Sequence, residues 1–204
     1  MQIMIDEKVA NRVIDLEFLY LDLNTCTRCV GTNDNLEEAL QSVSEVLALT
    51  NSDVSVTKIL IENETQALAH QFVSSPTIRI NGRDIALEFR ESQCDSCTDL
   101  CGCEAGTDCR EWVYQGEVYQ EAPVGMIVEA ILGEVYRSSP VSKFDAESDS
   151  VPDNLKNFFS GRAELETAVS NACCSETKQE TCCQPSAKSD CCGTTNESGS
   201  CGCQ

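Results

Sequence analysis

Apolar and polar positions along the chain change period several times, and each change marks an element. From Val13 to Leu23 the run VIDLEFLYLDL sets β-branched and aromatic residues in imperfect alternation with acids, the pattern of a strand near the middle of a sheet. Leu36, Leu40, Val43, Val46 and Leu47 then share one helical face, with Thr32, Asn33 or Asp34 available as N-cap. Val54, Val56, Ile59, Leu60 and Ile61 form a second strand candidate, and ETQALAHQF, from Glu64 to Phe72, reads as a short helix. Ile78 and Ile80 alternate with polar residues up to Asn81-Gly82, a pair suited to the positive φ angles of a tight turn, and Ile85, Leu87 and Phe89 alternate after it. Pro123 opens PVGMIVEAIL, in which Met126, Ile127, Ala130 and Ile131 face inward. The predicted order is β-α-β-α-β-β-α.

Two regions fall outside that order. Between the hairpin and the last helix lies an insertion, residues 91–121, whose run CDSCTDLCGCEAGTDC carries Cys94, Cys97, Cys101, Cys103 and Cys109. Five thiols in so polar a loop are not packed as small hydrophobes, so a soft ion or a disulfide is expected to organise them, and any four could form a tetrathiolate zinc site. The spacing matches neither a zinc ribbon nor a bacterial ferredoxin run. REWVYQGEVYQE, which follows, reads as a small hairpin about Gln115-Gly116, with Trp112 and Tyr119 as packing residues. The second region follows Tyr136. Residues 138–170 read as a linker and one short docking helix gripped by Leu155, Phe158 and Phe159. Residues 171–204 read as a disordered tail in which Cys173-Cys174, Cys182-Cys183 and Cys191-Cys192 recur every nine residues, and Cys201 with Cys203 continues the register. Residues 1–137 are the expected folded domain.

Charge and cysteine content narrow the chemistry. A formal net charge of −20 argues against nucleic acid and anionic membranes, since phosphate binding relies on clustered Lys and Arg. No stretch has the ~20 apolar residues of a membrane helix, and the first residues lack a signal-peptide pattern, so a cytoplasmic protein is expected. In a reducing compartment, 15 cysteines are expected to be ligands, redox groups or both. A reduced vicinal pair is a poor redox couple and a good two-point clamp for a thiophilic ion such as trivalent arsenic, cuprous copper, cadmium or zinc.

Cys26-Thr27-Arg28-Cys29 stands where the first strand hands over to the first helix, and Ser75-Pro76-Thr77 stands just before the hairpin. On these residues the chain resembles the thioredoxin and glutaredoxin superfamily, in which a CxxC opens the first helix and faces a cis-proline at the start of the third strand. The runs LDLNTCTRCVGT, SPTIRING and CGCEAGTDCREWVYQGEVY resemble more closely a family of thioredoxin-like proteins called domain of unknown function 2703. The resemblance implies an α/β fold of thioredoxin type with a cysteine-rich insertion, and candidate catalytic roles for Cys26, Cys29 and Pro76.

The residues themselves support two uses of the pair. A thiol at a helix N-terminus has a lowered pKa, making Cys26 the better nucleophile, with Arg28 able to add to that effect and Cys29 placed to resolve a mixed disulfide. Alternatively Cys26 and Cys29 are half of a metal site. The expectation is therefore a thiol protein that binds or transfers a soft metal or metalloid, arsenite above others, in partnership with a thioredoxin-type reductant or a metalloid transporter. The alternative is a dithiol-disulfide oxidoreductase.

Overall fold

The computed structural model describes residues 11–103, 106–137 and 150–170. Strand β1 (Arg12–Tyr20) runs through the middle of the main sheet, pairing in parallel with β2 (Ser52–Leu60) on one side and antiparallel with β3 (Thr77–Ile80) on the other. Its alternation places Ile14, Leu16 and Phe18 in one buried layer. A parallel pair needs a long crossover. Helix α1 (Thr27–Leu49) supplies it and buries Leu36, Ala39, Val43 and Leu47 at helical spacing against that layer.

Helix α2 (Glu64–Ala69) is capped by Asn63, whose side-chain oxygen accepts from Gln66 N at 3.0 Å. Asn81 (φ 51°) and Gly82 (φ 77°) make the tight turn into β4 (Arg83–Asp84), which completes the sheet order β2-β1-β3-β4. The insertion holds β5 (Arg90–Gln93), α3 (Asp95–Cys101), β6 (Asp108–Tyr114) and β7 (Glu117–Tyr119), its strands forming a second sheet, β5-β6-β7. Helix α4 (Val124–Tyr136) then lies beside α1 with Met126, Ile127 and Ile131 buried, and α5 (Asp153–Ser170) packs against α3. The fold is thus mixed α/β, and none of its described helices is long and apolar enough to cross a membrane.

Two expectations need correction. The second arm of the first hairpin ends at Asp84 and does not run on to Phe89. Asp84 takes Ala86 N at 2.9 Å and the Arg110 guanidinium at 2.7 Å, which turns the chain away and leaves Leu87 99% exposed. Helix α1 also begins earlier than Thr32, Asn33 or Asp34, with Cys26 as its N-cap. Thr32 lies inside it and its hydroxyl accepts from Ala122 N. The hairpin about Gln115 (φ 53°) and Gly116 (φ 85°) forms as expected, pairing Trp112 with Tyr119. Trp112 is fully buried in the main core, while Tyr119 stays partly exposed.

The buried residues divide into two clusters. One lies between the main sheet and helices α1 and α4. The other gathers Leu19, Leu21, Ile61 and Phe72 with Val151, Leu155, Phe158 and Phe159 around the cysteines. The three apolar residues expected to grip the domain do so, on a helix of 18 residues.

Candidate metal centre

The loop between β1 and α1 is shaped by one carboxylate. Asp22 Oδ1 accepts from Asn24 N at 2.8 Å, Thr25 N at 2.6 Å, the Thr25 hydroxyl at 2.8 Å and Cys26 N at 3.3 Å. Burial pushes the Asp22 carboxyl up, but these donors outweigh it and hold the group below its ordinary value. The turn delivers Cys26 to the N-cap of α1, where unpaired N–H groups favour a thiolate.

Three further cysteines arrive from the insertion. Cys94 is the N-cap of α3, Cys97 stands one turn along it, and Cys109 is carried by β6 opposite Ser92 of β5. The starts of α1 and α3 are joined by Ser96, whose Oγ lies 3.4 Å from Thr27 N and 3.2 Å from Thr27 Oγ1. Cys94 N donates to Thr107 O at 2.8 Å, and Arg110 N to Ser75 O at 2.8 Å, tying the insertion to itself and to the segment before β3.

As a result the Sγ atoms of Cys26, Cys94, Cys97 and Cys109 all lie within 4.8 Å of one another, and all four residues are buried. Cys97 Sγ donates to Cys26 Sγ at 3.3 Å, and Cys109 Sγ to Cys97 Sγ at 3.2 Å. Four thiolates around one ion at a metal–sulfur distance of ~2.3 Å form a tetrahedron with edges of ~3.8 Å, which the observed separations bracket. The set could hold a metal ion.

Protonation in this cluster is uneven. The thiols of Cys109, Cys29, Cys94 and Cys97 hold Cys26 far below the ordinary thiol value, and Cys94 is lowered to about 6, chiefly by Cys109. Cys109 is pushed up by Cys26, Cys94 and Cys97. Cys97 also rises, its hydrogen bond with Cys109 being outweighed by Cys26 and Cys94. Negative charge therefore collects first on Cys26 and Cys94, and a cation would have to draw the remaining protons from Cys97 and Cys109.

The other candidate residues have different surroundings. Cys29 is buried beside Cys26, its Sγ 3.3 Å from Ser75 Oγ, and both Cys26 and burial push its thiol up. The Ser75–Pro76 peptide is cis and leads into β3. Cys101 and Cys103 are joined by a disulfide and do not enter the four-sulfur set. They sit under α5, where Cys103 Sγ is 3.4 Å from Asn157 O and a Cβ added to Gly161 would come within 2.7 Å of Cys101 O. Cys173, Cys174, Cys182, Cys183, Cys191, Cys192, Cys201 and Cys203 lie outside the described residues.

Sequence reasoning named all four cluster members, yet divided them between a CxxC and a separate insertion. The available signal was the C-x2-C of Cys94 and Cys97, a spacing common in metal knuckles, which left two ligands to find.

A family model described as Domain of unknown function (DUF2703) matches residues 14–131. The chain belongs to this family. The DUF2703 match runs from β1 into α4, so it contains Cys26, Cys29, Pro76 and every cysteine of the insertion, while α5 lies beyond it. Curated proteins yielded no match, and neither did solved structures.

Proposed function

We propose that this protein binds a soft metal or metalloid ion through Cys26, Cys94, Cys97 and Cys109 and exchanges it with the vicinal cysteines of its C-terminal tail. The observation that carries the reading is the convergence of four buried sulfurs from three separate elements. Apolar surroundings strengthen ion–thiolate attraction and keep competing water away. Helix α5, whose apolar side covers the cluster, also precedes the cysteine pairs in the sequence, which supports placing the two sets of thiols in one exchange. Zinc and trivalent arsenic are the favoured ions, with arsenite suited to the pairs. We place the protein in a reducing, cytoplasmic setting, with a thioredoxin-type reductant or a metalloid transporter as its partner. The parallel β1–β2 pair, the order β2-β1-β3-β4 and the cis Ser75–Pro76 peptide support assigning the main sheet to the thioredoxin-like class.

Dithiol-disulfide oxidoreduction is the second reading. It draws on the depressed Cys26 thiol, on Cys29 one turn away and on the neighbouring Ser75-Pro76. Against it, both sulfur residues have 0% exposure and Cys26 already engages Cys97.

Native mass spectrometry of the reduced full chain, with the tail cysteines replaced by serine, separates the readings. One zinc or arsenite bound per chain is expected, together with little reduction of insulin disulfides. No uptake at micromolar concentrations, with brisk disulfide reduction, would sink the binding proposal.

A further inference from the structure

Arg28 lies between Cys26 and Cys29 in the sequence and is buried, with 4% exposure. Its guanidinium spans the two strands that flank the cluster. Nη1 donates to Cys109 O at 3.0 Å and Arg110 O at 3.3 Å, and Nη2 donates to Ser92 Oγ at 2.9 Å and Gln93 O at 2.8 Å. It thereby fixes the backbone of Cys109 itself and of the residue preceding Cys94. Every one of these acceptors is neutral, and no ion pair of Arg28 with a carboxylate occurs among the described residues. Arg110, the other deeply buried arginine, has Asp84 at 2.7 Å. A buried cation without a counter-charge is costly, and neutral hydrogen bonds offset only part of the cost.

The counter-charge is then left to the sulfur cluster, and its size depends on the ion held there. Four thiolates around a divalent cation carry a net charge of −2, whereas three thiolates around trivalent arsenic carry none. Resting on the proposed binding role of the four-sulfur set, we infer that Arg28 is a positioning and charge-balancing residue that makes this site one for a divalent thiophilic cation of the zinc and cadmium class. Arsenite then belongs with the tail pairs, and the buried centre takes it only as a neutral three-thiolate guest. Arg28 acts in two ways: it holds β5 and β6 at the spacing that brings Cys94 and Cys109 together, and it supplies one of the positive charges that a dianionic centre requires in a water-poor interior.

The test compares two ions on one protein. The full chain with its eight tail cysteines changed to serine is reduced, and its affinities for zinc and arsenite are measured by competition with chromophoric ligands. Arg28→Gln is expected to weaken zinc about 10–100-fold, the usual cost of losing an outer partner of a metal ligand, and arsenite by a clearly smaller factor, since lost positioning falls on both ions and lost charge on zinc alone. Arg28→Lys, which keeps the charge, is expected to recover most of the zinc affinity. A merely structural role would lower both affinities together, and that result overturns the inference, as does an unchanged zinc affinity in Arg28→Gln. Should Arg28→Gln fail to fold, Arg28→Lys decides. A zinc affinity within about threefold of the parent supports charge balance, and a zinc affinity about tenfold or more lower, matched by an equal loss for arsenite, overturns it. Failure of the parent to take zinc appears before any change at residue 28 and removes the site reading and this inference together.

Discussion

Replacing Phe158 with alanine tests how the cysteine centre is covered. Phe158 has 0% exposure and sits edge-on to Phe159, their rings 5.6 Å apart, within the cluster that holds Cys26, Cys94, Cys97 and Cys109. A buried phenylalanine removes ~150–250 Å² from water, and its truncation leaves a cavity as well, so the loss falls in the range of about 3–5 kcal/mol. Among the described residues, α5 and the segment leading into it hold this cluster through Val151, Leu155, Phe158 and Phe159, so the loss falls on the cooperative unit that closes over the sulfurs. If α5 opens on its own, a cost of ~3 kcal/mol raises the open population about 100-fold. Urea unfolding of the reduced chain, followed by timed alkylation read out peptide by peptide, measures both effects. Phe158→Ala is expected to lower stability by about 3–4 kcal/mol and to speed labelling of Cys97 and Cys109 by about 100-fold, while Glu164→Ala on the exposed side of α5 changes stability by less than about 0.5 kcal/mol. A loss below about 1 kcal/mol with unchanged labelling would refute the assignment of α5 as the cover.

Other outcomes follow from single residues. Asp22→Ala removes the acceptor of four hydrogen bonds in the loop before α1, and part of that loss is made good by water, so thermal denaturation should show a loss of about 1–2 kcal/mol. An unchanged midpoint would mean that the loop keeps its shape without the carboxylate. Glu91 is raised above its ordinary value by burial, against the hydrogen bond from Asn154 Nδ2 at 2.8 Å. A raised folded-state value means that its contribution is full below the unfolded value of ~4.3 and is lost as pH rises through the folded one. The stability of Glu91→Gln relative to the parent should therefore increase between pH 4 and pH 7, and a constant difference would contradict the assignment.

Local patterns disclosed the elements but not their meeting points. The alternation of Ile14, Leu16 and Phe18 and the helical spacing of Leu36, Val43 and Leu47 are legible because each element buries one face against the same core. Asn81-Gly82 and Gln115-Gly116 are legible because their positive φ angles demand particular residues. Leu155, Phe158 and Phe159 stood out in a polar stretch, and all three are buried. Leu87 misled because its alternation continued past Asp84, where two side-chain contacts end the strand. The centre was harder to see. Cys97 and Cys26 meet across a separation of 71 residues, and spacing rules describe only neighbours. Cys101 and Cys103 looked like equal members of a five-thiol set until α3 turned Cys97 toward Cys26 and left the other two under α5. Nor does anything local show that Arg28 reaches across to β5 and β6.

The central claim is that the first cysteine of the CxxC serves with three cysteines of the insertion and that the second does not. Cobalt(II) titration of the reduced chain, with its tail cysteines changed to serine, reads the number of thiolate ligands from the charge-transfer and visible bands of a tetrahedral centre. One cobalt per chain with a four-thiolate spectrum is predicted, kept intact by Cys29→Ser and reduced to a three-thiolate spectrum by Cys26→Ser or Cys109→Ser. A spectrum that survives Cys26→Ser, or one that collapses in Cys29→Ser, would contradict the account.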